Sequence, residues 1–438
     1  MKFQIESLIT NEQSIHLSRP VPGRENIFTM LVGKNASGKS RALSKIANHY
    51  LFPHHKNNRS NFVYESGSSL YKPRRLIAVS NSRFDRFPSA EQVIKYGEKY
   101  NTEYHYLGLG QFGSSPYKIL SKWCQSLFLD YRNDMSKKAS LSWIFEYTGF
   151  LPIFSIELKR KFSRIHGYGS TIDSLYDEYQ RATATMEEDT ERKFDFEKDI
   201  IPALYYLNER VSDKTRTLSF RVDLRHDSWL DNESIEFARF AAPLLSCGIL
   251  QVSGFHLYDI STKDKRTFFE ASSGQQCMLL MFLGISSAIS DESLICIDEP
   301  EISLHPRWQA EFIGIAQKAF SLHRGCHFLI ATHSPQVVAG LTSDNGFVAD
   351  LESNTLTHSS EYAKRSADFQ LTEIFHEPGF KNEYLIRTLL VLIAKLSKEQ
   401  SLSYEDAQKI KSIEYIKDRL ESSDPVLHLL NQVKMLSR

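Results

Sequence analysis

One segment constrains this chain more than any other: GKNASGKS, Gly33 to Ser40. It follows the apolar run NIFTMLV and opens SRALSKIANHYLF, which has the apolar period of a helix. It fits the pattern GxxxxGK[ST] in full, in the strand–loop–helix setting that the pattern requires. Gly33 and Gly38 let the main chain curl, so that the N–H groups of Lys34, Asn35, Ala36 and Ser37 can face one anion. The helix start adds positive potential at the same place. Lys39 is expected to reach the β- and γ-phosphates of a nucleotide, and Ser40 to offer its hydroxyl to Mg²⁺. The expected ligands are therefore ATP and Mg²⁺.

Two later strand tips carry matching chemistry. SLICIDEPE is a short apolar run ending in Asp298 and Glu299. A carboxylate at the end of a buried strand can hold Mg²⁺ through water, which is the role expected of Asp298. Glu299 is placed to take a proton from an attacking water. HFLIATHSP is another buried strand, ending in Thr332, His333 and Ser334. His333 could sense or polarise a terminal phosphate. Upstream of both lies SSGQQ, Ser272 to Gln276, a polar loop that opens the apolar helix MLLMFLGISSAIS.

The pattern from Phe268 onward alternates apolar strands with helices, which indicates a mainly parallel sheet covered on both faces. TFFEA is read there as a strand. Residues 1–115 and 218–360 are expected to form the two parts of one α/β core. Between them, residues 116–217 are charge-laced and read as a mostly helical insertion, IFSIELKRKF included. Residues 361–438 read as a C-terminal helical domain.

Composition excludes several classes. The chain has 438 residues, 41% apolar and 24% charged, the profile of a soluble globular protein. Lys plus Arg equals Asp plus Glu at 53 each, so no global field demands nucleic acid or an anionic membrane. No apolar run is long enough to span a bilayer, and the first residues hold no apolar signal core. A cytoplasmic location is expected. The five cysteines are scattered, without zinc or CxxC spacing, and are read as reduced packing thiols.

Taken in order, GKNASGKS, SSGQQ, ICIDE and ATH resemble the ABC-type ATPase family. DEPEISLHP followed by ATHSP, with Asn35 in the loop, is similar to its RecF/SMC/OLD-nuclease branch. The compact layout resembles the ABC ATPases of bacterial anti-phage systems of the Septu, retron and PARIS types. This resemblance implies a P-loop ABC-type ATPase head. SSGQQ stands where the family has LSGGQ, a signature loop that faces the nucleotide of another protomer. Ser273, Gly274 and Gln275 would then complete an ATP site in trans, Glu299 would be the general base and His333 the switch for the γ-phosphate. It also implies a homo-oligomer and a separate effector nuclease of HNH or TOPRIM type. Two other classes stay open: a DNA-repair ATPase of RecF type, and a scaffold that binds ATP and hardly turns over. The basic clusters at 54–59, 72–75 and 159–166 are read as solvated faces, with DNA an open second ligand. The end of LIAVS, at Asn81 or Ser82, is where a glutamine-loop equivalent would fall.

Overall fold

A computed structural model describes residues 3–9, 14–34, 36–53, 62–65, 72–82, 86–89, 92–93, 102–108, 116–129, 135–161, 172–184, 194–210, 217–225, 232–363, 365–398 and 401–437. In chain order, its first part comprises β1 (Ile5–Ile9), β2 (Ser14–His16), β3 (Ile27–Val32), α1 (Lys39–Leu51), β4 (Phe62–Glu65), β5 (Arg75–Ser80) and β6 (Glu103–Gly108). The middle comprises α2 (Pro116–Leu129), α3 (Met135–Tyr147), β7 (Phe150–Arg160), α4 (Ile172–Ala184), α5 (Ile201–Arg210), β8 (Thr217–Asp223), α6 (Asn232–Ser246), β9 (Leu250–Asp259) and β10 (Lys265–Thr267). Then follow α7 (Ser273–Ala288), β11 (Leu294–Asp298), α8 (Pro306–Ala319), β12 (His327–Ala331), α9 (Pro335–Ala339), β13 (Gly346–Asp350) and β14 (Thr355–His358). The tail holds α10 (Ala367–Glu373), α11 (Glu383–Leu396), α12 (Tyr404–Ile416) and α13 (Pro425–Leu436).

The central sheet has the order β14-β13-β3-β12-β11-β5-β6. Every neighbouring pair from β13 to β6 is parallel, and only β14 runs the other way. Alternate residues of these strands face opposite layers, which is why the strands read as near-continuous apolar runs. Phe28, Met30, Val32, Ile295, Ile297, Phe328 and Ile330 join one core with α2, α7 and α8. Leu31, Leu76, Cys296, Leu329 and Ala331 join a second core with α1 and the small sheet β2-β1-β4. The mainly parallel α/β architecture is thus present, with its strand tips gathered along one edge.

The described residues of 116–217 do not form a helical unit of their own. Ile153–Arg160 of IFSIELKRKF lie in β7, the longest strand among the described residues, which sits between β8 and β9 in an antiparallel sheet of order β10-β9-β7-β8. Its charges misled the helical reading. Glu157 faces His256 across the sheet at 2.9 Å, and Arg160 is buried against Glu178 and Asn208. The face opposite Glu157 carries Phe154, whose ring lies 5.1 Å from that of Trp123 and stacks on Phe145 at 5.4 Å. These aromatics belong to the same core as the central sheet. The expected boundary at 217/218 cuts through β8. TFFEA is corrected too: after β10, Phe268–Glu270 form a single 3₁₀ turn closed by a Thr267–Glu270 capping box.

The tail has a separate core of Leu385, Leu389, Leu392, Ile413, Ile416, Val426, Leu430 and Val433. Among the described residues, no helix is long and apolar enough to cross a membrane. The five cysteines form no disulfide. Of the basic clusters, 54–59 and 162–166 lie outside the described residues, while Arg75 pairs with Glu103.

Candidate functional site

The Gly33–Ser40 loop leaves the tip of β3 and turns into α1. Its conformation needs the residues it has. Gly33 (φ 138°), Ala36 (φ 66°) and Gly38 (φ 100°) all take left-handed backbone angles. A Cβ on Gly33 would stand 2.9 Å from Ser37 Oγ. Asn35 lies outside the described residues.

Lys39 is 5% exposed and folds back over the loop, donating to the carbonyls of Gly33 at 2.7 Å and Lys34 at 2.9 Å. Burial pulls its ammonium down to about 8, against the opposing pull of Glu299, Asp298, Glu301 and Asp350. Ser40 Oγ donates to Asp298 Oδ1 at 3.0 Å. Asp298 is 1% exposed at the tip of β11, in register with Ala331 of β12 and Ser80 of β5. A hydroxyl beside a buried carboxylate is an oxygen pair suited to a hard divalent cation.

Glu299 follows Asp298 with a left-handed φ of 53°, and its N–H donates to the carbonyl of Ala331 at 2.9 Å. His333 leaves the tip of β12 and is half-buried. Burial first, and the charge of Lys39 second, push its imidazole down to about 4, so the ring is neutral at pH 7. The structure therefore brings the Gly33–Ser40 loop, Asp298, Glu299 and His333 to the carboxyl edge of one parallel sheet, where open α/β sheets bind ligands.

SSGQQ lies at the start of α7 on an adjoining loop. Ser272 caps the helix: its Oγ accepts from Gln275 N at 3.3 Å, and its N–H donates to Gln275 Oε1 at 2.9 Å. Gln275 Nε2 donates in turn to the Thr148 carbonyl, at the end of α3, at 2.8 Å. Both ends of the Gln275 amide are thus engaged within the chain, so its side chain supports the loop and is not presented outward. Gly274 is buried where an added Cβ would meet Trp308 at 2.8 Å and the Ser303 carbonyl at 3.0 Å. Ser273 is exposed.

Several further residues hold this edge together, and sequence reasoning singled out only Asn81 among them. Asn81, at the end of β5, donates to the Pro300 carbonyl at 3.3 Å, next to Glu299. Glu301 accepts the main-chain N–H of His333 at 2.6 Å. Gln309 Nε2 donates to the Leu304 carbonyl at 2.9 Å and its Oε1 accepts from Ser334 Oγ at 2.6 Å. On the far side, Lys34 pairs with Glu352 at 2.8 Å, and Arg419 of the tail reaches the same carboxylate at 3.5 Å. Asp350, at the tip of β13, faces His376 at 3.5 Å. Besides Asn81, the second glutamate of DEPE was the one signal of this set available in the text.

Residues 150–339 match a family model described as "AAA domain, putative AbiEii toxin, Type IV TA system". Over that span the chain is similar to an AAA-type ATPase domain. The matched span of the ATPase domain holds SSGQQ, Asp298, Glu299 and His333 and begins after the Gly33–Ser40 loop. A curated relative, "Retron Vc95 probable ATPase" from Vibrio cholerae serotype O1 biovar El Tor, is 24% identical over 166 residues, or 37% of this chain. The chain spans about a third of that relative's length, 31%. A solved structure titled "An inward-facing conformation of a putative metal-chelate type ABC transporter" covers 86% of this chain and 90% of its own, at 14% identity and a TM-score of 0.33.

Proposed function

We propose that the chain binds and hydrolyses ATP with Mg²⁺ at the edge formed by Gly33–Ser40, Asp298, Glu299 and His333. The observation that carries this is the Ser40–Asp298 contact, which joins the loop to the β11 tip across 258 positions. Lys39, now spent on loop carbonyls, would transfer its ammonium to the terminal phosphates, and the loop N–H groups would hold the rest of the chain of phosphates. Ser40 and Asp298 would hold Mg²⁺, which supplies charge neutralisation at the β- and γ-oxygens. Glu299 would take the proton of the attacking water, and the neutral His333 would hydrogen-bond the γ-phosphate.

We further read Ser273 and Gly274 as the part of the site that meets a nucleotide on a second copy. The exposed Ser273 on a braced, capped helix start supports this. The protein would then work as a homo-oligomer that controls a separate effector nuclease in anti-phage defence. The relative's retron name supports that setting.

Two measurements test the reading. Titration with ATP and Mg²⁺ should give saturable binding that Lys39→Ala abolishes. Light scattering should show nucleotide-dependent assembly that Ser273→Arg prevents. No binding by the unaltered chain would remove the ATPase reading, and assembly by the Arg variant would remove the trans site.

A further inference from the structure

The loop after β11 reaches across to the His333 peptide through Glu301. Glu299 (φ 53°) and Ser303 (φ 68°) both hold left-handed angles that cost non-glycine residues roughly 1–3 kcal/mol each. Between them the chain turns tightly, with Ile302 N on the Glu299 carbonyl at 3.3 Å and Leu304 N on the Glu301 carbonyl at 3.0 Å. The turn drives Glu301 inward. Its Oε1 takes the His333 N–H at 2.6 Å, while its Oε2 is buried with no hydrogen-bond partner. Burial pushes this carboxyl up; the His333 N–H, the residue's own main chain and the Thr332 side chain draw it back down.

We infer that Glu301 is a positioning residue: its carboxyl pins the His333 peptide and thereby sets where the imidazole points in the site. This rests on the nucleotide reading above. The neighbours agree with it. Lys39 and Glu299 both lie close enough to feel the Glu301 charge. Asn81 and Gln309 tie the two ends of the same turn, at Pro300 and Leu304, so the turn is braced at both ends. Gln309 carries a second bridge to the His333 loop through Ser334. With that bridge intact, removing Glu301 should loosen the His333 peptide without unravelling the loop.

The test uses the full chain. Glu301→Ala should lower kcat for ATP hydrolysis about tenfold or more, with nucleotide Kd within about twofold. Glu301→Gln keeps the Oε1 acceptor and the shape, and should restore kcat to within about threefold. Glu301→Ala combined with His333→Ala should be no slower than His333→Ala alone. Additive losses, or a Kd that worsens as much as kcat, would overturn the assignment. If the unaltered chain hydrolyses no ATP, the nucleotide reading fails by itself. The pin is then judged by ¹⁵N titration of His333: a midpoint moved in Glu301→Ala and unmoved in Glu301→Gln supports it, and an unmoved midpoint in both overturns it.

Discussion

Ser40 Oγ and Asp298 Oδ1 stand 3.0 Å apart, although 258 positions separate them in the chain. The contact exists because β3 and β11 flank β12 in one parallel sheet and end at the same edge. Asp298→Asn keeps the shape and an acceptor for Ser40, so the fold should hold. ATP binding should lose most of its dependence on Mg²⁺. Calorimetric titration with and without Mg²⁺ checks this. An undiminished Mg²⁺ dependence would take Asp298 out of the metal site.

Glu299→Gln removes the proposed base without altering the backbone turn. Hydrolysis should fall by about a hundredfold or more, in the range that a positioned general base contributes, while ATP binding persists. Phosphate release under single-turnover conditions separates the two. A variant with ordinary turnover would exclude Glu299 as the base.

Two of the three small residues of SSGQQ, Gly274 and Ser273, should respond differently. Gly274→Ala forces a Cβ against Trp308 and the Ser303 carbonyl and should destabilise the chain by about 1–3 kcal/mol, since overpacking costs that much. Ser273→Arg adds bulk at an exposed position and should leave stability within about 0.5 kcal/mol. Urea unfolding of both variants checks the contrast.

The contact between Asp350 and His376 should make the docking of the tail pH-dependent. The Asp350 carboxylate hydrogen-bonds His376 and raises its imidazole above the ordinary histidine value, against the effect of burial. A raised folded-state value stabilises fully below the unfolded value near 6.5 and is lost as pH rises through the folded value. Glu352 adds to the attraction, and Arg419 donates to the His376 carbonyl. Intrinsic-rate-corrected hydrogen exchange of residues 367–437 should quicken between pH 6 and pH 9. His376→Gln should flatten that profile; a profile unchanged by the substitution would disprove the link.

Much of this fold is legible in the text because buried parallel strands write themselves as apolar runs. NIFTMLV, RRLIAVS, SLICID and HFLIATH all occupy the central sheet. IFSIELKRKF hid its strand because Glu157 and Arg160 find partners on elements distant in sequence, His256 and Glu178, which no local pattern reveals. Gly33, Gly38 and Lys39 announce themselves through spacing. Glu301 and Gln275 were harder to read, because their work is hydrogen bonding to main-chain groups of other segments. In SSGQQ, Gln275 stands where LSGGQ has its second glycine. It is a cap and a tether to Thr148.

The strand order also dictates when the site can exist. Among the described residues β3 pairs with β12 and β13, which begin at His327 and Gly346. During synthesis, the Gly33–Ser40 loop leaves the ribosome well before both, on a strand whose sheet partners have yet to follow. Until then its apolar residues, Ile27 to Val32, are an unpaired strand exposed to chance partners. A ribosome stalled before His327 would release a chain carrying the whole GKNASGKS text and no means of shaping it.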